Sequence, residues 1–219
     1  MDAVIRRQEI VDAVFRIIAA DGFERASLRE VADEAQLAVG SVRHYFASSD
    51  ELLSHAFAAV IDRVVGRLAD ANLRLAELRP GSEEHHGAVL ALLGEFLPLD
   101  EVRAVDACVW MAFKNAARTR PFLAAEADRS HRAVAAVVGG LILGLADGGS
   151  AGGSAGSIDE QVLVTEAELL LAVLDGLTMH ALLQPEWMTA RMCKDVLEAH
   201  LHGIDRRLAN RTTGRAASR

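Results

Sequence analysis

A few groups of residues have types and spacing that could do chemistry, and each lacks a component. Glu83 and His86 are three apart, the spacing with which helix pairs hold di-iron centres, but such centres need two pairs and further carboxylates. Both follow Pro80-Gly81, where a solvated helix start is expected. His200 and His202 are two apart and so fall on different faces of a helix. Ser130 and His131 supply a nucleophile and a base by type, yet no acid orients the histidine and no oxyanion framework adjoins it. The glycines of 148–156 do not lie between a strand and a helix, as a phosphate-cradling loop requires. These patterns predict no catalysis, no metal ligands and no cofactor.

Binding chemistry is better represented. Residues 27–46 read SLREVADEAQLAVGSVRHYF. Two short helices that meet steeply need a small residue at the crossing, apolar residues on both inner faces and a polar outer face on the second. Val31, Ala32, Ala35, Leu37, Val42 and Tyr45 fit the inner positions, with Ala32 at the closest approach. Ser27 and Glu30 have capping-box spacing, so the first helix of the pair starts there. The second helix, about six or seven residues, is too short to stand alone and implies tertiary support for its display.

The elements that must hold this segment are nearly all helical. About half of the residues are apolar (51%), with one tyrosine and four prolines, and β-branched alternation is absent. Val4, Ile10, Val11, Val14, Phe15, Ile17 and Ile18 form an apolar stripe at helical spacing, stopped by Gly22, with Phe23 folding back as an anchor. Ser48 and Glu51 repeat the cap and open a helix to about Leu75. A further helix follows Pro80-Gly81-Ser82, carries Val89, Leu92, Leu93 and Phe96, and breaks at Pro98. Others are expected over about 100–118 and from Pro121, then over 158–183 and 186–208, divided at Gln184-Pro185. The Gly/Ser-rich run at 146–157 predicts a flexible loop, and the arginine-rich segment 210–219 a disordered tail.

The predicted fold class is therefore all-α: an N-terminal three-helix helix-turn-helix domain (1–47) followed by a C-terminal helical bundle (48–209). That bundle either encloses a ligand or is plain core. Trp110, Met111, Phe113, Asn115, Met179 and His180 combine apolar bulk with a few polar tips, as ligand sites do. The formal net charge of −8 does not suggest a nucleic-acid partner, but DNA contact is local. Arg6, Arg7, Arg25, Arg29 and Arg43 are available to cluster on one face. Cys108 and Cys193 are far apart and are expected to be reduced. Arg6, Arg7 and Glu9 interrupt the N-terminal stretch, and no long uncharged apolar run occurs, so a cytoplasmic protein with no membrane partner is expected.

Residues 5–53 resemble the DNA-binding domain of the TetR family. The order is that of the family: an amphipathic first helix, the stop Ala-Asp-Gly-Phe at 20–23, the capped helix SLREVA, then VGSVRHYF and ELL. The rest of the chain is similar in helical layout, with Asp-Gly-Leu at 175–177 and a late proline. The resemblance implies a recognition helix from Val39 to Tyr45 that enters the major groove, with Ser41, Arg43 and His44 on base edges. It places Tyr45 and the Ser27 hydroxyl where the family touches phosphate, sets Ser48 and Ser49 at the start of helix 4, whose N–H groups favour an anion, and counts Val39 and Gly40 among the DNA-binding residues. Three positions depart from the family: Arg43 stands where a tyrosine is usual, Ser49 where a lysine is, and Gln36 where a glycine forms the turn.

The function implied is a DNA-binding transcriptional regulator, a ligand-responsive repressor that grips a palindromic operator as a homodimer. The eighth and ninth helices (169–183 and 192–208) would form the dimer interface, and an unknown small-molecule effector would move the heads through helix 4. The alternative is a helical ligand-binding or interaction protein that has lost specific DNA binding.

Overall fold

A computed structural model describes residues 3–148 and 159–216. Its regular elements are α1 (Ala3–Asp21), α2 (Leu28–Glu34), α3 (Val39–Tyr45), α4 (Ser49–Ala76), α5 (Glu83–Gly94), α6 (Glu101–Ala117), α7 (Ala124–Gly148), α8 (Glu160–Leu183) and α9 (Ala190–Ala216). Short 3-10 turns, Phe23–Arg25 and Pro121–Leu123, precede α2 and α7. The fold is all-α, as expected. Caps explain the starts: Ser82 and Asp100 accept the backbone N–H of His85 and Arg103 on their side chains.

The chain divides into two compact units, Met1–Val65 with Asp100–His131, and Gly66–Leu99 with Arg132–Arg219. The boundary expected after residue 47 falls inside the first of them. In that unit α1 packs against both α2 and α6. Ile10, Val11, Val14, Phe15, Ile17 and Ile18 are buried as the stripe requires, whereas Val4 is exposed, one turn beyond the packed face. Gly22 stops α1 at φ 88°, its N–H donating to the Ile18 carbonyl at 3.1 Å. Phe23 folds back edge-on to Phe113, 5.4 Å between ring centroids, and Phe113 stacks on Phe57 at 4.9 Å. Arg63 of α4 bonds Asp12 of α1, lies 3.5 Å from the buried Asp106 of α6 and stacks over the Phe15 ring at 4.6 Å.

In the second unit α9 packs on α8 and on α5. Leu170, Leu174, Leu177 and Ala181 line the buried face of α8, and Cys193, Leu197, Leu201 and Ile204 that of α9. The buried Glu166 carboxylate of α8 receives Arg207 of α9 through Nε and Nη2, the shortest contact 2.7 Å. Two donors with a fixed fork match one carboxylate, which fixes the register of the two helices. Both cysteines are free, and burial pushes both thiols above their usual range, so neither is a ready nucleophile.

Two boundaries differ from expectation. The last helix starts at Ala190, not 186, because the N–H groups of Trp187 and Met188 turn back to the Gln184 carbonyl beside Pro185. It also runs to Ala216, past Asn210 where a disordered tail was expected to begin, with no proline to interrupt it. Residues 149–158, most of the expected loop, and 217–219 lie outside the described residues. No helix among the described residues is long and apolar enough to cross a membrane.

Candidate nucleic-acid interface

The helix pair is built from the turn outward. Ser27 caps α2 by accepting the Glu30 N–H at 3.2 Å. The reciprocal half of the capping box is absent: the Ser27 N–H donates to the Arg25 carbonyl, and the Glu30 carboxylate faces Arg25 at 3.6 Å. At the other end the Leu37 N–H donates to the Ala32 carbonyl and the Gln36 N–H to that of Asp33. This crossed pair defines a Schellman stop, which needs a left-handed residue between its two donors. Gln36 supplies it at φ 56°, the one positive-φ residue other than glycine among those described. The conformation costs about 1 kcal/mol for a residue with a Cβ. We expect Gln36→Gly to raise stability by up to about 1 kcal/mol, a melting shift of roughly 2–4 °C for a chain of this size. Calorimetry that found a lower melting temperature would show that the turn stores no strain.

Val39–Tyr45 forms α3 with the boundaries expected from the sequence. Val42 is fully buried and Val39 and Tyr45 partly so, which anchors one side. Ser41, Arg43 and His44 are exposed on the other. The extended backbone of Phe46, itself buried, ends the helix. Arg7 of α1 donates to the Tyr45 carbonyl at 3.3 Å and lies over the Phe46 ring at 5.5 Å, so it ties down the end of α3. That contact was not foreseen from the sequence, since 38 residues separate the partners.

The arginines of this unit sort by what they touch. Arg6 pairs with Glu9, Arg16 with Glu34, Arg25 with Glu30, and Arg63 with Asp12. Among the described residues none pairs with Arg29 or Arg43, both exposed. The backbone N–H groups of Val39 and Gly40 likewise donate to no described residue. Gly40 is exposed, and a Cβ there would meet nothing within 4 Å, so the chain's own packing does not require a glycine. Ser27 is exposed and Ser49 half-buried at the start of α4. There Ser48 caps the Glu51 N–H and the Glu51 carboxylate accepts from the Ala47 N–H at 2.7 Å, occupying part of that helix end.

The residues expected to meet a ligand are divided between the units, on α6 in the first and on α8 in the second. Trp110 is half-buried against the core of the first unit, Phe113 is enclosed within it, and Asn115 is exposed. Met179 and His180 are exposed on α8 in the second unit. Residue type and spacing marked these positions as apolar with polar tips but not which helix they would face.

A different surface is conspicuous in the second unit. Leu169, Met179 and Leu183 on α8, Trp187 in the turn, and Met192 and Val196 on α9 are all exposed, Leu183 at 70% and Trp187 at 75%. Both helices thus expose apolar side chains besides those they bury against each other.

Comparison with known proteins agrees with this arrangement. Residues 10–56 match the family model described as bacterial regulatory proteins, tetR family, and residues 85–206 that of the BetI-type transcriptional repressor C-terminal region. The transcriptional regulator PksA of Bacillus subtilis is 34% identical over 199 residues, 91% of this chain and 89% of that protein. The solved structure of a transcriptional regulator from Rhodococcus sp. Rha1 superposes with a TM-score of 0.73 at 28% identity, covering 90% of this chain and 95% of that one. The multidrug binding protein EbrR is similar in complexes with imidazole (27% identity, TM-score 0.59, 91% and 90% covered) and ethidium (25%, 0.56, 89% and 98%). With one model over its head, another over more than half its length and a relative alike almost end to end, the chain belongs to the TetR family and is a DNA-binding transcriptional regulator, not an enzyme.

Proposed function

We propose that the protein is a ligand-responsive repressor whose two α3 helices, one from each subunit of a homodimer, read the halves of a palindromic operator. The observation that carries this reading is the display of α3: Val42 is sealed in the core while Ser41, Arg43 and His44 stay exposed, with Arg43 unpaired among the described residues. Arg43 donates two hydrogen bonds to one guanine, and Ser41 and His44 read neighbouring base edges. Ser27, Val39, Gly40, Tyr45 and Ser49 position the head on sugar and phosphate, where the bare Gly40 admits close approach. A two-fold axis through paired α8 and α9 helices sets the readers about one turn of DNA apart.

The exposed apolar residues of α8 and α9 supply that dimer face. Met179 is assigned to it; Trp110, Asn115 and His180 remain candidate effector contacts. Phe113 leaves that set because its ring is enclosed by Phe23 and Phe57. The EbrR complexes make a flat organic cation such as ethidium the first effector class to try.

The test pairs light scattering with a gel shift on DNA from upstream of the chain's own gene. Wild type should run as a dimer and bind that fragment in preference to a scrambled one. The double change Met179→Asp and Leu183→Asp, at exposed positions, should leave a folded chain at the mass of one subunit with specific binding lost. A variant that stayed dimeric would place the interface elsewhere. Wild type without preference at low salt would favour a helical binding protein that no longer reads DNA.

A further inference from the structure

His86 has a partner other than the one its neighbours in sequence suggest. Glu83, three residues before it, is exposed, while His86 in the first turn of α5 faces Glu198 and His202 of α9. Those two are one helical turn apart and so share a face. The His86 Nε2 atom is buried and makes no hydrogen bond, with the nearest Glu198 carboxylate oxygen at 3.7 Å. The rings of His86 and His202 stand 5.4 Å apart between centroids, and one ligand atom from each of the three residues lies within 4.8 Å of the other two.

A buried ring nitrogen without a partner is a cost, because burial removes its water and nothing replaces it. Two imidazoles and one carboxylate converging on a point are a ligand set for a divalent transition ion. Hard ions such as magnesium and calcium prefer oxygen alone, whereas imidazole suits zinc, copper, iron and nickel. With bonds of about 2.0–2.1 Å, tetrahedral donors stand roughly 3.3 Å apart, so the set must close by an ångström or so. His202 is exposed and free to swing inward. Three protein ligands leave one position for water.

We propose that His86, Glu198 and His202 form a zinc-class metal site that ties α5 to α9. His200, two residues from His202, is not part of it. Its ring lies on another face, where burial first and Arg207 second lower its pKa, with Glu166 opposing them. Neither cysteine is part of it.

Untagged full-length protein, stripped with chelator, is titrated with Zn2+ in a calorimeter and with Co2+ in a spectrophotometer. One ion per chain is expected, with visible Co2+ bands of a nitrogen and oxygen site and no thiolate charge transfer. Saturating Zn2+, at about a hundredfold excess over Kd, should raise the melting temperature by roughly 5–10 °C. His202→Ala, at an exposed position, should weaken Zn2+ binding more than about 100-fold, and Glu198→Gln at least about 10-fold, with both metal-free variants melting like the metal-free wild type. No uptake at micromolar Zn2+, a thiolate band, or unchanged binding in both variants would each overturn the proposal.

Discussion

Arg43→Ala should reduce specific operator affinity by about 2–6 kcal/mol, roughly 30-fold to more than 10,000-fold, because each of two half-sites loses about 1–3 kcal/mol of base contact. The fold should be untouched, since the side chain is exposed and pairs with no described residue. Affinity for a scrambled duplex should fall far less, because non-specific binding is set by total phosphate contact and this change removes a reader. Fluorescence anisotropy on the two duplexes at one fixed salt concentration separates these effects. If the ratio of specific to scrambled affinity survives the substitution, Arg43 is a solvated surface arginine and the reading of α3 must change.

Phe113→Ala is the second large effect, and it falls on stability. The ring is fully buried, stacked on Phe57 and met edge-on by Phe23. Truncating a buried phenylalanine costs about 3–5 kcal/mol, from lost transfer energy and the cavity left behind. For a chain of this size that is a fall of roughly 6–20 °C in melting temperature. DNA binding should be lost at temperatures where wild type still binds, since α6 braces α1 in the same unit as α3. A variant that melted like wild type and lost only its response to effector would return Phe113 to the ligand-contacting set.

That second case shows where sequence reasoning reached its end. Local signals carried far: the bounds of α3, the caps at Ser27 and Ser48, the stop at Gly22 and the unusual turn at Gln36 depend on residues a few positions apart. The helix over 100–118 was legible, but periodicity does not say which helix covers its apolar face. Trp110 and Phe113 were set with Met179 and His180 on residue type alone; α6 packs against α1 within the first unit, a pairing no spacing rule announces. His86 was weighed against Glu83 because they are three apart; its neighbours Glu198 and His202 lie more than a hundred positions on, and no spacing rule joins them. Arg7 at the end of α3 escaped notice for the same reason. The arginine-rich composition after Asn210 suggested a tail, whereas α9 is described as far as Ala216.

The tie from Arg7 to the Tyr45 carbonyl, with Val42 locked below, has a thermodynamic consequence. A segment that folded only on meeting its operator would surrender its freedom at that moment, about 1–2 kcal/mol for each backbone residue. For the 7 residues of α3 that is roughly 7–14 kcal/mol. Here that loss is absorbed when the polypeptide itself folds, and encounter with the double helix becomes the docking of a rigid key, so its favourable contacts appear almost undiminished as grip and discrimination.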